Sequence, residues 1–137
     1  MELALALPLL ALVVLGVVDL GRAYRLKTHL ANAAREGAAY AQYFPSQVDN
    51  TGTACADPAN VVFIARNEAG AHEPYAVAVA RANDGVPITG CNRTTVAPGT
   101  PVRVSTSAPF SVLTPLVADL VGETLTLRAS VEMVVQG

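Results

Sequence analysis

Leu3 to Val18 (LALALPLLALVVLGVV) is a run without a single charge, and the next charged side chain is Asp19. Its sixteen residues fall just under the roughly 17–25 that cross a bilayer as a helix. Leu20 and Gly21 extend the run if Asp19 is neutralised or paired, and Arg22 stands three residues on, the spacing of an ion pair on one helix face. The run is too long for an ordinary core helix. A cleaved secretory signal starts with a basic segment, whereas here the acid Glu2 comes first. The reading is a membrane-type stem with a head behind it.

The whole chain has 137 residues, room for one domain with an appended helix and not for a two-domain enzyme. A formal charge of -2 leaves no basic field for a nucleic-acid duplex, so no nucleic-acid partner is expected.

Helical character continues beyond the apolar run. No proline occurs from Leu20 to Phe44, and alanine, the best helix former, dominates Leu30–Gln42. Pro45 is the stop, because proline disfavours helix in the residue before it. A helix of some 40 residues would be about 65 Å long. Pro8 should kink it or disturb one turn of hydrogen bonding. Ala31, Ala34, Ala38 and Ala41 recur at spacings of three and four, with Gly37 and Tyr40 nearby. Such a stripe suits close helix–helix contact, or an Ala-rich helix lying across its own sheet; both readings stay open. So do two readings of Glu2. It is either a solvated residue at the headgroup level or an anion placed to pair with a positive group, the Met1 α-ammonium if that is the terminus.

From Pro45 onward, short runs alternate with turn signals. Asp57-Pro58 reads as a helix start, Asp as cap and Pro first, with the helix ending near Ala69 at Gly70. Strands are expected at Tyr75–Ala82, Val86–Cys91 and Val102–Val112, the first two joined by Asn83-Asp84-Gly85. Thr114–Val121 reads as a helical turn or short helix. Glu123–Val135 closes the chain with clean alternation, Leu125, Leu127, Ala129, Val131, Met133 and Val135 on one face and Thr124, Thr126, Arg128, Ser130 and Glu132 on the other. The expectation is an α+β fold: a stem helix over residues 1–44 and a head over 45–137 with an antiparallel sheet of about four strands.

The two cysteines, Cys55 and Cys91, both fall in the head. They are either a disulfide closing a loop of about 36 residues, stabilising by roughly 3–4 kcal/mol, or two unrelated thiols. A membrane stem with a small head favours the disulfide. Chemistry-bearing patterns are otherwise absent. His29 and His72 are isolated, no ligand cluster, nucleophile elbow or phosphate loop occurs, and no two acids make a defensible acid–base pair. Asn92-Arg93-Thr94 fits a glycosylation sequon, a frequent chance match. The expectation is a protein without enzymatic activity, metal or cofactor.

The front of the chain resembles the TadE-like pseudopilins of the tight-adherence (Tad) branch of type IV pilus systems. The residues carrying the resemblance are Glu2, Leu7-Pro8-Leu9-Leu10, Asp19-Leu20-Gly21-Arg22 and Ala34-Arg35-Glu36-Gly37-Ala38. At the back, Val102-Arg103-Val104, Pro109-Phe110, Leu113-Thr114-Pro115 and the final alternating strand are similar too. The resemblance implies a precursor in the cytoplasmic membrane, cut by a prepilin peptidase and drawn into an extracellular filament or a pilus-assembly complex. It implies that Glu2 pairs with a neighbouring subunit's terminal amine. In such proteins the acid stands fifth after the cut, and here it is second, so a basic leader and three mature residues are expected ahead of Met1, or processing differs. Arg22, Arg25, Lys27 and Arg35 after the apolar run would place the head inside. The disulfide reading places it outside, and a basic leader would reconcile the two.

The function expected is a structural pilin-like subunit whose stems bundle into a filament core, with Met1, Glu2, Pro8, Asp19 and Arg22 as assembly residues. Its partners would be further copies of itself, other pilus-assembly proteins, the peptidase and, before assembly, the membrane. The rivals are a membrane-anchored minor pseudopilin acting as initiator or scaffold, and a single-pass exported binding protein.

Overall fold

In the computed structural model, residues 2–48, 60–69, 76–88, 90 and 96–136 are described. The proline-free, alanine-rich stretch forms the rear of one long helix, α1 (Glu2–Tyr43), about 63 Å at 1.5 Å per residue. Pro8 lies inside it and removes one backbone donor. The stop falls where proline demands it. Phe44 leaves the helix at φ -123°, ψ 68°, and Pro45–Gln47 form a single 3₁₀ turn. Stacking of Phe44 on Tyr40, ring centroids 4.6 Å apart, and a hydrogen bond from the Tyr40 hydroxyl to Gln47 Oε1 fasten this corner.

Asp19 is the first buried residue on α1 among those whose side chains are described. After it, Leu30, Ala33, Ala34, Gly37, Ala38 and Ala41 are buried, with Ala23 and Leu26 half-buried. These positions recur every three or four residues and make one face. Residues 6–18 bury nothing.

The inward face lies across a three-stranded antiparallel sheet in the order β1 (Ala76–Arg81), β2 (Pro101–Ser111), β3 (Thr124–Val134). The central β2 turns Val102, Val104, Thr106, Ala108 and Phe110 toward α1. Thr106 is the polar exception and is satisfied, its hydroxyl donating to the Leu30 carbonyl at 2.8 Å. On β3 the expected alternation holds, with Leu125, Leu127, Ala129, Val131 and Met133 half-buried and the polar set exposed. α2 (Val61–Ala69) adds Val61, Val62 and Ala65 to the core. Gly37 marks a close approach. A Cβ there would lie 3.1 Å from Ala65 Cβ and 3.2 Å from Val104 Cγ1. The alanine-rich half is thus packed on the chain's own sheet and α2.

One expectation is corrected. A fourth strand at Val86–Cys91 does not form among the described residues. The chain returns beside β1 for one bridge, Ala80 to Pro87, flanked by Arg81 N–H to Val86 O (2.9 Å) and Ile88 N–H to Val79 O (3.0 Å). Pro87 has no N–H for a ladder, and Gly90 turns the chain at φ +93°. α2 spans Val61–Ala69 and is capped by Asn60, whose Oδ1 accepts the Phe63 N–H at 2.9 Å. Asp57, Pro58, Cys55 and Cys91 lie outside the described residues, and with them the expected helix start and disulfide.

β2 runs antiparallel to the rear of α1. Thr106 meets Leu30, Phe110 and Ser111 meet Arg22, and at the far end the Gln136 N–H donates to Gln42 O at 2.9 Å. The link from β2 to β3, which contains α3 (Pro115–Val121), therefore sits at the end of the sheet nearest the stem.

Candidate functional site at the stem–head junction

A carboxylate at the end of an apolar run must be solvated or given donors. Asp19 is 7% exposed and is given donors. Its Oδ1 and Oδ2 accept the Leu113 N–H at 3.1 and 3.0 Å. Oδ2 also accepts the Thr114 N–H at 2.8 Å and the Thr114 hydroxyl at 2.7 Å. Arg22 Nη1 completes the set at 3.2 Å from Oδ1. Charge-assisted bonds of this kind are the strong ones, and they converge on one side chain.

Local sequence explains the nest. Thr114 precedes Pro115, which holds it in an extended conformation (φ -78°, ψ 113°) and opens α3 without needing a donor of its own. The Thr114 carbonyl takes up the Val117 and Ala118 N–H groups, while its own N–H and hydroxyl are free to turn toward Asp19. Gly122 ends α3 at φ +93°, a conformation glycine adopts without strain, and donates to Ala118 O at 2.8 Å. Arg22 reaches further, Nη1 lying 3.4 Å from Ser111 O and the guanidinium 5.3 Å above the Phe110 ring. Lys27 donates to the Arg128 carbonyl on β3. The front of the head is thereby tied to α1 by side chains that immediately follow the apolar run.

Of the assembly residues expected from sequence, the structure brings together Asp19 and Arg22. Pro8 lies exposed on the stem, Glu2 lies in the first turn of α1 about 25 Å from Asp19, and Met1 is outside the described residues. Sequence reasoning did not find Leu113 and Thr114 as the partners of Asp19. The signal was present in two pieces, an acid closing an apolar run and a Thr-Pro helix start, but nothing in a linear reading joins residues 19 and 114.

In front of the junction, residues 6–18 are all apolar. Ala6, Leu7, Leu9, Leu10 and Val13 line an apolar strip. By length and composition α1 is able to cross a membrane, and 6% of its most apolar window is buried in the chain itself. No curated protein and no solved structure matches this chain. Residues 1–39, which comprise the stem, the Asp19–Arg22 pair and the first part of the packed half of α1, match the model of the family of TadE-like proteins.

Proposed function

We propose that this chain is a structural pilin-like subunit of a Tad-type pilus, without catalytic activity, whose stems bundle into the core of an extracellular filament. The observation that carries the reading is the bare stem. Among the described residues, Leu7, Leu9, Leu10, Val13, Val14, Val17 and Val18 are left exposed by the chain, within a stretch matching TadE-like proteins. Packed against other stems, that surface would contribute roughly 25 cal/mol per Å² removed from water. The head would coat the outside, hardened by a Cys55–Cys91 disulfide. The chain would enter the cytoplasmic membrane as a precursor, meet a prepilin peptidase and join other assembly proteins.

Electron microscopy of material sheared from the cell surface, with mass spectrometry of the same fraction, tests this. Thin filaments made mainly of this chain are expected, and retention in the membrane fraction overturns the filament reading. Glu2→Ala is expected to reduce assembly and leave membrane insertion intact; normal filaments would remove the role proposed for Glu2. The second reading, a membrane-anchored minor pseudopilin that initiates or scaffolds assembly, is favoured by the same bare stem, which suits lipid as well as it suits other stems.

A further inference from the structure

The end of the head nearest the stem carries large apolar side chains that packing leaves unused. Leu113, just before α3, is 54% exposed, and Val117 in its first turn is 38% exposed. On α1 at the same end, Leu20 and Tyr24 are 71% and 75% exposed and stand one turn apart, about 100–140° round the helix from Asp19.

Asp19 fixes their height. Its carboxylate holds the Leu113 and Thr114 amides, so this turn lies level with the residue that ends the apolar run. With residues 3–18 in hydrocarbon, Asp19 falls at its boundary. The polar layer beyond is about 5–7 Å thick on each side, and Asp19 to Tyr24 advances about 7.5 Å along the helix. Leu20 and the Leu113 turn therefore fall within that layer, Tyr24 reaches its outer edge, and Val117 follows one turn into α3. Tyrosine is enriched at that depth, and Arg22 and Arg25 have stems long enough to keep their charges in water. The exposed charges at this end are Arg22 and Arg25 against Asp119 and Glu123, so the patch has no single-sign field to choose among headgroups.

We propose that the turn before α3, together with α3, is a foot that inserts into the headgroup layer of the membrane holding the stem. The occupant of the apolar patch is lipid, continuous with the lipid around residues 3–18, and the foot sets the height and tilt of the head above the bilayer. The inference rests on the membrane reading of the stem.

The chain contains no tryptophan, so single substitutions each report one place. The full chain is reconstituted into phosphatidylcholine vesicles carrying Leu113→Trp, Val117→Trp, Leu10→Trp or Ser130→Trp. Blue-shifted emission is expected at 113 and at 117, quenched by lipids brominated close to the headgroup. Leu10→Trp should be quenched by lipids brominated deep in the acyl chain, and Ser130→Trp, on the outer face of β3, by neither. Two separate foot positions guard against one variant misfolding. Water-like, unquenched emission at both, with Leu10→Trp quenched, overturns the foot and leaves the membrane stem standing. Blue-shifted emission without bromine quenching means a protein neighbour covers the patch and likewise overturns it. An unquenched Leu10→Trp removes the membrane reading and the foot together.

Discussion

The two halves of α1 invert the usual relation between size and burial. Leu7, Leu9, Leu10, Val13 and Val17 are each more than half exposed, whereas Ala33, Ala34, Gly37, Ala38 and Ala41 are buried. Burying a Leu or Val is worth about 1.5–3 kcal/mol, so a chain that hides its alanines and shows its leucines has put its largest apolar surface where another phase or another subunit receives it. The rear half uses small residues for the opposite purpose. They let α1, α2 and β2 approach closely, and valines from the neighbours fill the space. Helix propensity is shared by both halves, and the partner differs.

The sharpest way to break the comparison is at the residue between the halves. Asp19→Ala leaves the Leu113 and Thr114 amides and the Thr114 hydroxyl without their acceptor. A buried donor left unpaired costs about 1–3 kcal/mol, and three donors lose their acceptor at once, so this change is expected to give the largest loss of the series. Hydrogen exchange on the full chain in detergent should show the 113 and 114 amides losing protection while the centre of β2 keeps it. Unchanged protection at these two amides would mean the junction is held by something other than the carboxylate.

A matched pair of truncations tests the inversion directly. Leu30 is fully buried and Leu10 is 65% exposed. Leu30→Ala should cost about 2–5 kcal/mol, the range for buried leucines. Leu10→Ala should change the chain's own unfolding free energy, measured by denaturant titration, by no more than about 0.5 kcal/mol, as surface changes do. Equal losses would mean the stem packs within the chain.

Much of this architecture is legible in the sequence because local rules decide it. Pro45 ends α1, Gly122 ends α3, and the alternation from Leu125 to Met133 orients β3. The Asp19–Arg22 pair follows from helical spacing. Two kinds of information were not local. The expected fourth strand has strand-like residues, but its pairing depends on which of them lands opposite Ala80, and that residue is Pro87. The Asp19 nest joins residues 94 and 95 positions apart, and the amides that form it are backbone groups, which side-chain patterns do not mark. Asn60 belongs with these, because its side chain becomes a cap only through where Phe63 lies in α2.

The smallest effect compares two glycines, one in each half. Replacing glycine by alanine inside a helix gains up to about 1 kcal/mol of propensity. At Gly16 a Cβ meets nothing within 4 Å, so Gly16→Ala should keep that gain. At Gly37 the new methyl meets Ala65 Cβ at 3.1 Å and Val104 Cγ1 at 3.2 Å. The first is fixed to the α2 backbone, and the second belongs to a β-branched side chain with little rotamer freedom. Neither yields as a flexible side-chain tip would, so α2 must back away by a few tenths of an ångström. Overpacking of that kind costs about 1–3 kcal/mol, enough to cancel the propensity gain and leave a net loss near 1 kcal/mol. Thermal unfolding of both variants in the same detergent should therefore move their midpoints in opposite directions. A Gly37→Ala variant as stable as Gly16→Ala would show that α1 and α2 have slack where they cross, and that the small residues of the rear half are not there to permit close approach.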